Sequence, residues 1–197
     1  MTDYQFFNEK VSPLLVKWLN EEIRFYLFAD IGQIYFAYAS DFASKEIAAQ
    51  CNYERREIVF NIAWIKERFK KNEVFLVKYL IMHEIRHFYQ RRVVESFKNR
   101  ENVRIYEPQA MLLSWQKNFE KYIDITGSSE LEEKNYFSQP IELDATAFAY
   151  YLMQHLHPNI NPRSLYVPKY AVDYIKKSRG FYQSFFQVAD QNKRYYF

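Results

Sequence analysis

The chain has 197 residues, of which 49% are apolar and 26% charged, as in an ordinary globular protein. Its net charge of +3, from 27 basic and 24 acidic residues, is too small to predict binding to nucleic acid or to a membrane surface. The single cysteine, Cys51, excludes an internal disulfide framework. No secretory signal and no apolar run long enough to cross a bilayer is visible, so we expect a cytoplasmic protein.

The N-terminal part of the chain combines one helical pattern with two runs that favour strands. Apolar residues over about 4–20 predict a helix that Pro13 interrupts or kinks. The runs 24–29 and 33–38 are rich in Phe, Tyr and Ile, and a turn at 30–32 separates them. Together they predict a β-hairpin.

The middle of the chain changes from a strand pattern to helical patterns. The run EIVFN, Glu57–Asn61, predicts a third strand, and 62–71 predicts a helix. Asn72 is expected to cap the start of a long helix over about 73–98. The first half of that helix is apolar on nearly every face, which is typical of a helix buried in the middle of a domain.

The C-terminal half is predicted to be helical. Helices are expected at about 108–123, at about 140–154 and from about 170 onwards. Residues 124–139 combine small and acidic side chains, so we expect a flexible loop or lid there. Nothing separates two domains. The sequence therefore predicts one α+β domain over 1–197, mainly helical with a small N-terminal β-sheet beside the central helix.

The long central helix contains an HExxH motif, His83-Glu84-Ile85-Arg86-His87. Residues four apart lie on the same face of a helix, so both imidazoles can bind one tetrahedral ion. Glu84 lies about 100° further round the helix, where it can reach a water on the metal and act as the general base. The motif is specific for a metal site, because two histidines at this spacing around a glutamate rarely arise by chance. The buried helix strengthens this interpretation, since two buried imidazoles need a metal or another partner to offset their desolvation.

Two other interpretations of the motif are possible. The histidines can be a pair of hydrogen-bonded core residues that bind no metal. Glu84 and His87 also form the ExxH unit of di-iron helical bundles, although such bundles use that unit twice and the chain contains it once.

A catalytic zinc site needs a third protein ligand and keeps one position open. We expect this ligand in the helix at about 140–154, where Glu142 shares a face with Thr146 and Ala149. Small residues on that face would let the helix approach the HExxH helix closely. Asp144 is the alternative ligand. It projects about 200° away from Glu142, so the two acids cannot serve the same ion.

These residues resemble those of the gluzincin-like metallopeptidases, in which HExxH is followed on a later helix by a glutamate ligand. The run 142–153 resembles the ligand helix of the ImmA/IrrE-type peptidases, and the Glu-x-x-Ala-Asp pattern of a second gluzincin group. The resemblance implies a zincin-like fold with Zn²⁺ bound by His83, His87 and Glu142. It also implies a small sheet whose edge strand holds an extended substrate, and we expect Glu57–Asn61 to belong to that sheet.

The sequence therefore predicts a zinc metalloendopeptidase, a hydrolase in which Glu84 activates a zinc-bound water to cleave a peptide or protein substrate. Stabilising the transition state needs a hydrogen-bond donor, and His155 and Tyr151 are candidates because they lie near the end of the ligand helix. Three alternatives are an inactive zincin-like regulatory module, a metal-free helical interaction protein, and a zinc hydrolase of non-peptide amides. No feature of the sequence predicts an oligomeric state.

Overall fold

A computed structural model describes residues 1–40, 42, 47–124 and 129–193, with only the backbone of Lys193. Within these ranges the fold is mainly helical with one three-stranded sheet, which confirms the α+β class. Among the same residues, each helix is either too short or too polar to cross a membrane.

The N-terminal residues form one run of helical turns. In order, these are α1 (Asp3–Phe6), a π turn (Phe7–Val11), α2 (Ser12–Lys17), a second π turn (Trp18–Ile23) and a 3-10 turn (Arg24–Tyr26). The strand predicted at 24–29 is therefore wrong. Ile23 and Tyr26 are both buried and three residues apart, which is a helical spacing, and the Tyr26 hydroxyl donates to Asp190 at 3.0 Å.

The sheet contains β1 (Tyr35–Ala39), β2 (Ala49–Asn52) and β3 (Glu57–Asn61), in the order β1-β3-β2. The predicted third strand is confirmed with its predicted bounds, and it is the central strand. β1 runs parallel to β3, whereas β2 runs antiparallel to it. The hairpin of the fold therefore joins β2 to β3, and the hairpin predicted over 24–38 is wrong.

The predicted helix after β3 and the predicted long helix are both present. They are α3 (Ile62–Lys70) and α4 (Val74–Lys98). Asn72 does not cap α4. It has a left-handed φ of 58° and ends α3, donating its N–H to Phe69 at 3.1 Å, while the Glu73 N–H bonds Arg68 at 2.8 Å. This is a Schellman motif, in which asparagine is a common residue at the left-handed position.

The C-terminal part of the described chain contains the three predicted helices, one further helix and short irregular segments. Its helices are α5 (Gln109–Glu120), α6 (Glu130–Phe137), α7 (Pro140–Leu156) and α8 (Val172–Lys193). The loop or lid predicted at 124–139 includes 125–128, which lie outside the described residues. Much of the remainder forms α6 instead of a loop, because Ser129 and Glu132 make a capping box at its start.

Helix α4 lies at the centre of the fold. It packs against α7 most extensively, and also against α3, α5 and β2, while α8 packs on α7. The predicted burial is confirmed from Val77 onwards, since Val77, Ile81, Met82 and Ile85 are all fully buried, whereas Phe75 in the first turn is 49% exposed. The packing of α4 places the HExxH motif between α7 and β2.

Candidate metal centre

Helices α4 and α7 bring together two histidines and one glutamate. The Nε2 atoms of His83 and His87 are 3.0 Å apart, as expected for residues one turn apart on α4. From α7, Glu142 places Oε2 at 3.2 Å from His83 Nε2 and Oε1 at 3.4 Å from His87 Nε2. His87 and Glu142 are buried and the His83 side chain is 12% exposed, so the group opens to solvent on the His83 side.

The three side chains fit a zinc ion in both chemistry and spacing. Two imidazole nitrogens and one carboxylate oxygen are the ligands of one common class of catalytic zinc site. Ligand atoms about 2.1 Å from a tetrahedral zinc lie roughly 3.4 Å from one another. The two imidazole nitrogens are 3.0 Å apart, and the two Glu142 oxygens lie 3.2 Å from one nitrogen and 3.4 Å from the other, which is close to that spacing.

The charges of the group are strongly coupled. Burial by itself lowers the pKa of His87, but the Glu142 carboxylate, with Glu84 and Gln90 adding to its effect, raises that pKa to about 9. Burial likewise opposes ionisation of Glu142, yet His87 and His83 hold its pKa well below the ordinary value. Glu142 is therefore a carboxylate at neutral pH, and it attracts a cation to the histidine side of the group.

Glu84 projects from α4 toward strand β2. Its Oε2 accepts a hydrogen bond from the Cys51 thiol at 2.9 Å, and the Glu84 side chain is almost buried, with 7% of the residue exposed. Burial and the nearby Glu84 carboxylate raise the pKa of the Cys51 thiol well above its ordinary value, so the thiol stays protonated and donates. Neither β2 nor a partner for Cys51 was predicted from the sequence, so this contact is a finding of the structure.

A tyrosine hydroxyl also reaches the group from the segment after α5. Tyr122 donates to Glu142 Oε1 at 2.8 Å, and 40% of the residue is exposed. Burial of the hydroxyl and the Glu142 carboxylate raise the pKa of Tyr122 far above its ordinary value, so the hydroxyl remains a donor. No motif around Tyr122 predicts this contact, since the contact depends on how the chain leaves α5.

The structure does not bring His155 or Tyr151 to the metal group. At about 1.5 Å per residue, they lie roughly 20 Å and 14 Å along α7 from Glu142. His155 pairs with Asp190 at 2.9 Å and Tyr151 donates to the backbone of Ile175 at 2.6 Å, both on α8. Their polar atoms hold α8 against α7. Neither position therefore supports the predicted role of hydrogen-bond donor to the transition state.

Asp144 also points away from the metal group, as its helical angle from Glu142 predicts. It is fully buried and pairs with Arg86 of α4 at 2.9 Å. Of the two acids considered as third ligand, Glu142 is thus the one that the structure places beside both histidines.

A cavity of about 420 Å³ lies along β2 and extends to α4. It is lined by the β2 residues Gln50, Cys51 and Asn52, by Tyr53 and by Arg91 of α4, among others. Cys51 lines this cavity and also contacts Glu84, which is not itself one of the lining residues.

Comparisons of the chain with protein-family models, with curated proteins and with solved structures give no match. The assignment of a function therefore depends on the geometry of the site.

Proposed function

We propose that this protein is a zinc-dependent metallopeptidase with a zincin-like fold. The observation that supports this most strongly is the group His83, His87 and Glu142, whose ligand atoms all lie within 4.8 Å of one another. Catalytic zinc sites use three protein ligands, whereas structural sites use four. Within the described ranges the group has three members, and Glu84 lies beside it without belonging to it. Zinc bound there would supply a Lewis acid that polarises water and the substrate carbonyl.

Glu84 is the general base in this proposal. Its carboxylate accepts one proton from water as the water oxygen bonds to the carbonyl carbon of the peptide. The same carboxyl group then gives that proton to the amine nitrogen as the carbon–nitrogen bond breaks. The Cys51 thiol supports this role, because its hydrogen bond to Oε2 fixes the orientation of the carboxylate.

The position of β2 supports an extended peptide as the substrate. Among the residues that the structure describes, β2 is an edge strand paired with β3 alone, and an edge presents free backbone N–H and C=O groups along one side. Cys51, in the middle of β2, contacts Glu84, so a peptide beside this edge would lie next to the general base. Glu57–Asn61 belongs to the sheet, as predicted, as its central strand, and the proposed substrate-binding edge is β2.

Tyr122 is the donor that we assign to the transition state in place of His155 and Tyr151. Its hydroxyl already lies at the site, 2.8 Å from Glu142, and a large part of the residue faces solvent. By turning its one O–H from Glu142 to the substrate, this hydroxyl can donate to the oxygen that becomes negative as water attacks the carbonyl.

The test compares wild type with Glu84→Gln, using a fluorogenic peptide library for hydrolysis and elemental analysis for zinc. The variant is expected to keep its zinc and lose hydrolysis, because the amide cannot accept the proton of water. Glu95→Gln is the matched control, since Glu95 is on the same helix but its side chain is 49% exposed and pairs with Arg91. Hydrolysis by Glu84→Gln at the wild-type rate would overturn the proposal, and a wild type that binds zinc but cleaves nothing would favour the inactive regulatory module.

A further inference from the structure

One zinc-ligand candidate, His87, makes a hydrogen bond through its second ring nitrogen. His87 Nδ1 lies 2.9 Å from the side-chain oxygen Oε1 of Gln90, which is three residues further along α4. An amide oxygen accepts hydrogen bonds and cannot donate one, so Nδ1 carries the proton. In the neutral ring, the form that binds a metal, the lone pair is then on Nε2, the atom that faces His83 and Glu142.

The orientation of the Gln90 amide is fixed by its other two contacts. Its Nε2 donates to the backbone carbonyl of Ile141 at 2.9 Å and to Asp144 Oδ2 at 2.8 Å, both on α7. Both partners are acceptors, so a flipped amide would place its oxygen against two oxygens and its NH₂ group against His87. Gln90 is fully buried, and no exchange with solvent can compensate for that loss.

Asp144 is itself held by donors from two further elements. Its Oδ2 also accepts from Arg86 Nε at 2.9 Å, and its Oδ1 accepts a short hydrogen bond from the Tyr182 hydroxyl of α8. Arg86 and Asp144 are completely buried, and Arg86 makes a second ion pair with Glu107 at 3.0 Å. The partner of Gln90 is therefore a fixed carboxylate in the core.

The geometry points to Gln90 as a positioning residue that holds His87 in the metal-binding tautomer, with Asp144 orienting the Gln90 amide. This inference rests on the proposed zinc site. It explains why Gln90 and Asp144, which are not among the three candidate ligands, are buried beside them. Hydrogen-bond partners behind a metal ligand typically contribute 10–100-fold in metal affinity.

The test measures zinc affinity by competition with a chromophoric chelator, and the unfolding of the zinc-free protein in urea. Gln90→Met keeps the side-chain length and removes both hydrogen-bonding functions, so zinc affinity should fall about 10–100-fold. Ser96→Ala is the matched control, because Ser96 is fully buried on α4 and its hydroxyl donates to Glu101 at 3.1 Å, away from His87. It should leave zinc affinity unchanged.

A second variant separates positioning from a general loss of stability. Asp144→Asn keeps an acceptor for Gln90 but removes the charge that pairs with Arg86. It should lower stability in urea and largely keep zinc affinity. Equal zinc affinity in wild type and Gln90→Met, or loss of affinity in proportion to loss of stability across the variants, would overturn the inference.

A measurement on the wild type needs no variant. With cadmium-113 in place of zinc, nitrogen-15 NMR should show His87 protonated at Nδ1 and coupled to the metal through Nε2. Coupling through Nδ1 would overturn the role of Gln90. A wild type that binds neither zinc nor cadmium would instead contradict the proposed function itself, so the two failures are distinguishable.

Discussion

At the scale of single residues, the chemistry of the site depends on the coupling between His87 and Glu142. Both are buried. Glu142 raises the pKa of His87 and His87 lowers the pKa of Glu142, so each favours the charged form of the other. In the zinc-free protein His87 holds a proton on the nitrogen that would bind the metal. Zinc and that proton therefore compete for one lone pair.

The first prediction concerns the pH dependence of the zinc-free protein. The pKa of His87 is raised from 6.5 to about 9 in the folded state, so this group stabilises the fold fully below about pH 6.5. That stabilisation is lost as the pH rises through about 9. The free energy of unfolding in urea, measured with a chelator present, should fall across this window. A His87→Gln variant should show a flatter profile there, and an equally steep profile would contradict the assignment.

Binding of zinc should show the opposite dependence on pH. Since binding displaces the His87 proton, zinc affinity should rise through neutral pH and the titration should release protons. Calorimetric titration in buffers of different ionisation enthalpy measures that release. Binding without proton release at neutral pH would mean that His87 is already neutral or does not bind the metal.

Tyr122 provides a second test at this scale. Replacing it by Phe removes the donor but keeps the ring, so kcat/KM should fall roughly 100-fold, as for loss of one oxyanion donor, while zinc stays bound. Tyr35→Phe is a suitable control, because Tyr35 is exposed and its hydroxyl only bonds Gln33. Unchanged kinetics for Tyr122→Phe would remove this residue from the mechanism.

At the scale of elements, helix α7 carries two buried acids with different tasks. Glu142 faces the histidines, whereas Asp144 neutralises Arg86 in the core. Glu142→Ala should abolish tight zinc binding. Asp144→Ala leaves a buried arginine short of one partner, which typically costs about 3–5 kcal/mol of stability. Zinc titration and urea unfolding of both variants test this division, and similar profiles for the two would contradict it.

Elements with an unambiguous pattern were predictable from the sequence. β3 and α4 were placed correctly, because a short β-branched run and a long apolar helical run each allow one interpretation. The run 24–29 was misassigned, since its aromatic residues favour strands locally but pack as a helical turn against α8. β2 was missed because AQCN has neither alternation nor β-branched residues, and its pairing with β3 creates it.

The site shows the same contrast between local and distant contacts. His83, Glu84 and His87 were identifiable from spacing within one helix. Gln90 could have been found in the same way, because it lies three residues after His87 on α4. Cys51 and Tyr122 could not, since the contacts of each depend on elements that meet only in the folded chain.

At the scale of the whole molecule, the metal group lies between α4 and α7, the two elements that pack most extensively against each other. A zinc ion held from both helices would stabilise the folded state by mass action, by about 4 kcal/mol at a free concentration 1,000 times its Kd. Chelation should then lower Tm by roughly 10 °C. Glu84→Gln should show the same shift as wild type, and His83→Ala should show none. A Tm that does not respond to chelator in wild type would argue against a bound metal.

The most direct test of the proposed zinc site is the metal content of the protein purified without added metal. We expect one zinc per chain in wild type and in Glu84→Gln, and loss of that zinc in His83→Ala. A wild-type protein that contains no divalent metal, and takes up none on titration with zinc, would contradict it.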